Sequence, residues 1–142
     1  MALDPSRFLT AHDERSTYAT ALAELRAGRK LSHWMWFVFP QVAGLGHSPT
    51  SQFYAISGLD QARAYLDHAV LGPRLVECAN ALRDLPGDDP SVVLGDVDAQ
   101  KLRSSMTLFK HAAESDEERA VFCAVLEQYF GGHEDPETVS RL

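Results

Sequence analysis

Apolar residues recur at three- and four-residue spacing along most of this chain, and capping signals mark where the runs begin and end. Asp4 ahead of Pro5 is a strong helix opening, because it joins an N-cap oxygen to a residue whose φ is already helical. The pattern runs on through Leu22 and Leu25 to Gly28, a natural C′ residue, with a break expected near residues 13–16. Ser57 and Asp60 have capping-box spacing before Ala62, Tyr65 and Leu66, and Gly72-Pro73 opens a run carrying Leu75, Cys78, Ala79 and Leu82. Asp98 is placed to cap a helix bearing Leu102, Met106 and Phe109. Ser115 and Glu118 form a second capping box before Val121, Phe122, Val125, Leu126 and Tyr129, and Gly131-Gly132 ends that helix. Asp135-Pro136 repeats the first opening for a short terminal helix.

Strand signals are poor. Residues 37–39 make too short a run and meet Pro40, residues 92–94 are isolated, and the polar stretch 86–90 reads as a loop. The expected fold is all-α: one multihelical domain over residues 1–142, with about six to eight helices and no substantial sheet. A chain of 142 residues, 45 % hydrophobic and 23 % charged, has enough apolar surface for a real core, which argues against disorder.

The formal net charge of −7 repels phosphate backbones, so no nucleic-acid partner is expected. No run approaches the roughly 18–20 apolar residues of a membrane span, and the first residues lack a signal-peptide core. No membrane association and a cytoplasmic location are therefore expected. Cys78 and Cys123 both lie within helical patterns and read as buried free thiols. Without CxxC, HExxH or a calcium loop, no metal or cofactor is expected, and GxSxG is also missing.

Chemistry concentrates in two segments. Within residues 28–54, Trp34, Trp36, Phe37 and Phe39 are flanked by Arg29, Lys30, Ser32 and His33 on one side and by Gln41, His47, Ser48 and Ser51 on the other. An aromatic wall beside convergent polar groups suits a small-ligand pocket, and it equally suits a core cluster whose neighbours tie down a loop. Within residues 101–109, Leu102, Met106 and Phe109 form the apolar stripe, and Lys101, Ser104, Ser105 and Leu108 share an adjoining face. Arg103 and Lys110 should point away. A lysine and hydroxyls at a core margin can hold a phosphate or carboxylate, or can simply be a snorkelling cation beside solvated serines. His12, Glu14, His133, Glu134 and Asp135 titrate but read as helix-cap or surface residues.

Residues 28–41, 44–48, 54–56, 70–75 and 101–109 together resemble the bacterial family called domain of unknown function 1810. The resemblance spans roughly residues 7–142 and implies an all-helical single domain; it brings no activity. Two positions depart from the family pattern: His12 where glutamine is usual, and Ala69 where a His-Pro pair usually follows His68.

The expected partner is a small anionic ligand, nucleotide-like or phosphorylated, in a pocket lined by residues 29–54 and 101–105. Arg29, Lys30 and Lys101 supply charge, Trp34 and Trp36 an apolar wall, and Gln41, Ser48, Ser51, Ser104 and Ser105 hydrogen bonds. His33 is the candidate general acid/base, because imidazole titrates near neutrality. Two alternatives stand beside this. One is a hydrolase or transferase at a nucleotide-derived bond, since residues 48–54 faintly resemble NADAR-type proteins, although Gln52 stands where their acidic residue falls. The other is a protein-interaction module using the aromatic patch.

Overall fold

The computed structural model describes residues 3–142. From the N-terminus the helices are α1 (Ser6–Asp13), α2 (Thr17–Ala27), α3 (Met35–Val38), α4 (Pro49–Phe53), α5 (Leu59–Asp67), α6 (Leu71–Arg83), α7 (Pro90–Leu94), α8 (Asp96–Ala112), α9 (Asp116–Phe130) and α10 (Pro136–Val139). The fold is all-α: among the described residues no strand forms, and one isolated parallel bridge joins Val42 to Ile56. The helix α8 is central, packing on α5, α7, α9 and α10, while α6 links α9 to α2 and α5. Phe8, Trp34, Phe39, Tyr65, Phe109 and Phe122 are fully buried in one continuous apolar cluster.

Several helix ends follow the capping chemistry. Asp4 accepts the Ser6 N–H, Ser115 accepts that of Glu118, and Asp135 accepts that of Thr138. The break after Asp13 is a 3₁₀ turn, with Arg15 and Ser16 both at positive φ, and Gly28 ends α2 in the left-handed region at φ 79°.

Three local readings change. Ser57 does not cap α5: its N–H donates to Gln61, and Gly58 precedes the helix. The bridge at Ile56, whose N–H donates to Gln41, holds the chain extended too close to Ser57 for a cap to form there. Asp98 lies inside the first turn of α8, which opens two residues earlier after Gly95, so its carboxylate is free for other partners. The apolar residues 92–94 belong to a short helix, because Asp89 caps the Ser91 N–H and Pro90 sets the first helical φ. Among the described residues no helix is long and apolar enough to cross a membrane.

The thiols also part company. Cys78 is buried and its pKa is pushed up to about 12 by burial, whereas Cys123 is only half-buried. With a thiol reagent at neutral pH, Cys123 should label in the native protein and Cys78 only after unfolding. Mass spectrometry of the labelled peptides checks the order.

Candidate functional site

The loop after α2 is fastened by one carboxylate. Glu24 Oε1 accepts the Leu31 N–H at 2.7 Å, the Ser32 N–H at 3.0 Å and the Trp34 indole N–H at 2.9 Å, while its Oε2 accepts the Ser32 hydroxyl at 2.5 Å. Burial by itself would raise the carboxyl pKa. The Ser32, Leu31 and Trp34 donors outweigh it and hold the group at about 2. Trp34 is thereby locked into the core, with no exposed surface.

Two lysines rest on the two tryptophans and share one acid. Lys30 Nζ lies 5.2 Å from the Trp34 ring centroid and 2.9 Å from Asp98 Oδ2. Lys101 Nζ lies 4.7 Å from the Trp36 centroid and 3.5 Å from Asp98 Oδ1. The three charged side chains are only 10–20 % exposed, so their attraction is screened less than that of a surface pair. One carboxylate against two ammonium groups leaves a net positive charge on this platform, in a chain whose total is −7.

Trp36 also walls a cleft of about 110 Å³, shared with Gln41, Gly44, Gly46, Ser51, Gln52 and Tyr54. Typical ligand pockets hold roughly 300–1,000 Å³, so this cleft admits a small molecule or one end of a larger one. Its shape depends on glycine at two points. At Gly46 a Cβ would stand 2.5 Å from that of Ser51; at Gly44, where φ is +97°, it would stand 2.7 Å from Arg141 Nη1. Ser48 caps α4 through the Ser51 N–H and lies 2.8 Å from the Ser51 hydroxyl. Tyr54 packs on Phe37 and Phe8, and burial raises the pKa of its phenol.

The model of a family described as "Protein of unknown function (DUF1810)" matches residues 2–142. The chain belongs to this family. It is also similar to the conserved hypothetical protein Rv1873 of Mycobacterium tuberculosis, known from a crystal structure. The two are 46 % identical, with 98 % of each chain covered and a TM-score of 0.91. No curated protein matches the DUF1810 chain described here.

The fold thus brings Lys30, Trp34, Trp36 and Lys101 to one platform, and Trp36, Gln41 and Ser51 to one cleft beside it. Arg29 and His33 are exposed and, among the described residues, make no side-chain hydrogen bond or ion pair. Ser104 faces the other side of α8, its one hydroxyl proton shared between the Gln100 carbonyl and Asp135, where it helps fasten α10. Ser105 is fully buried and its hydroxyl has no partner among the described residues. Arg103, expected to point away from this face, donates to the His133 and Glu134 carbonyls.

Three contributors lie outside the residues expected to line the site. Asp98 reads in the sequence as a cap, although its place three residues before Lys101 puts the two on one helix face. Glu24 carries no local signal, since its partners lie more than a helical turn on, in the loop after α2, and Arg141 carries none, since it meets Gly44 from the far end of the chain.

Proposed function

We propose that this protein binds a small anionic ligand, nucleotide-like or phosphorylated, with its charged end at Lys101 and Lys30 and a planar group against Trp36 in the adjoining cleft. One observation carries the reading: the ring that supports the Lys101 ammonium is the ring that walls the cleft. A ligand that touches Trp36 is therefore within reach of a cation. Asp98 keeps the two lysines from repelling each other in the empty site, and an arriving anion adds a second counter-charge to a pair that has only one. Gln41 and Ser51 offer donors and acceptors to polar groups that enter the cleft.

A panel of nucleotides and sugar phosphates should contain a member that raises the melting temperature. The linkage gain is about 2.7 kcal/mol at a hundredfold excess over the dissociation constant. Lys101→Ala should abolish most of that gain. It should cost the unliganded protein only about 1 kcal/mol, the worth of a partly exposed ion pair and cation–π contact. A panel that leaves the wild-type melting curve in place defeats the proposal.

A further inference from the structure

The most exposed large apolar side chains among the described residues are Leu31, Val92 and Val97, at 72 %, 71 % and 71 %. They come from three separate segments, yet the fold gathers those segments around one residue. The Lys30 N–H donates to the Val93 carbonyl at 2.7 Å and Lys30 Nζ meets Asp98 at 2.9 Å, so each of the three stands one residue from Lys30 or from a group bonded to it. Beside Val92 opens a groove of about 360 Å³ walled by Leu85, Val93 and Tyr129. Its far wall is fixed. The Gln128 amide shares its two N–H groups among the carbonyls of Leu82, Leu85 and Gly87, and the Tyr129 hydroxyl donates to that of Leu82.

Asp88 and Asp89 line this groove, and neither is in an ion pair among the described residues. Arg29, next to Gly28, is the opposing charge. An apolar slot with a rigid wall and an acidic rim matches a bulky apolar side chain flanked by cations. A second copy of this chain is a poor occupant, because a two-fold contact would set the acidic rims against each other.

We infer that the groove lined by α7, the loop before it, the end of α2 and Tyr129, with Leu31 and Val97 in neighbouring segments, is a docking surface for a basic segment of a partner protein that inserts one bulky apolar side chain. This does not rest on anion binding at Lys101, and the two readings fail separately.

The probe is a display library of short peptides selected on the full-length protein. Enriched peptides should carry a large aliphatic or aromatic residue next to lysine or arginine, and should shift the backbone amide signals of Gly28, Leu85, Gly87 and Val92. Both Val92→Asp and Asp88→Lys alter exposed positions and leave the core alone. Each should weaken a selected peptide by about tenfold or more, whereas Lys101→Ala leaves its affinity unchanged. The inference is overturned if no peptide is enriched, if enriched peptides are acidic, or if neither groove substitution weakens them. It is equally overturned if sedimentation shows a dimer of this chain that Val92→Asp dissociates.

Discussion

Trp34→Ala should cost about 3–5 kcal/mol, the usual toll for deleting a buried tryptophan, and Trp36→Ala distinctly less. The two residues stand two positions apart and do different work. Trp34 has no exposed surface, packs on Phe39 at 6.4 Å between ring centroids and donates its indole N–H to Glu24. Trp36 is only partly buried and its ring is open to the cleft. Against a typical total stability of about 5–15 kcal/mol, loss of Trp34 brings the chain close to unfolding. Urea denaturation of both variants checks this. Equal losses at the two positions would mean that Trp36 is as much a core residue as Trp34 and has no face to offer a ligand.

Stability should fall in two stages on acidification, each with an identifiable owner. His12 is 2 % exposed; its Nε2 lies 2.6 Å from the Phe37 carbonyl and its Nδ1 lies 3.2 Å from Arg74. Nδ1 must accept from the guanidinium, so the proton sits on Nε2 and the ring is neutral. Burial, reinforced by Arg74 and opposed by the Phe37 hydrogen bond and by Asp13, holds its pKa below the ordinary 6.5. As pH drops below 6.5 the unfolded chain takes up a proton that the native state refuses, so stability declines until the lower, native pKa is passed. Glu24 acts later and in the same direction. Its native pKa is about 2 against an ordinary 4.5, so the stability it confers is complete above 4.5 and lost as pH falls towards 2. His12→Gln keeps a donor for Phe37 and an acceptor for Arg74 and should erase the first stage alone. Glu24→Ala strands the buried Trp34 N–H, costs about 1–3 kcal/mol at neutral pH and should flatten the second. Urea midpoints across a pH series read both, and a wild-type midpoint flat from pH 7 to pH 3 would contradict the assignments.

How far the sequence reveals the molecule depends on the range of the interaction that decides each feature. Caps at Asp4, Ser115 and Asp135 act over two or three residues, and the residues that make them are adjacent in the chain. Ser57 has the same local pattern, but the bridge between Val42 and Ile56, fourteen positions apart, overrides it. The candidate site divides in the same way. Lys101 is visible as a cation at the margin of an apolar stripe, and the Trp34–Trp36 pair as an aromatic concentration. Their meeting through Asp98 is not visible, because a contact between positions 30 and 98 leaves no trace in either neighbourhood. Ser104 shows the converse: helical spacing places it near Lys101, while the hydrogen bond to Asp135 turns it towards α10.

Calorimetric titration of the best-stabilising nucleotide or sugar phosphate into the wild type, Lys101→Ala and Trp36→Ala tests the anion site most directly. Saturable binding at one molecule per chain should be seen for the wild type, with affinity falling about tenfold or more in each variant, the scale of losing a charge-assisted contact or an aromatic wall. Affinity unchanged in both variants, or no heat of binding in the wild type, would contradict the assignment of Lys101 and Trp36 as the two halves of one ligand site.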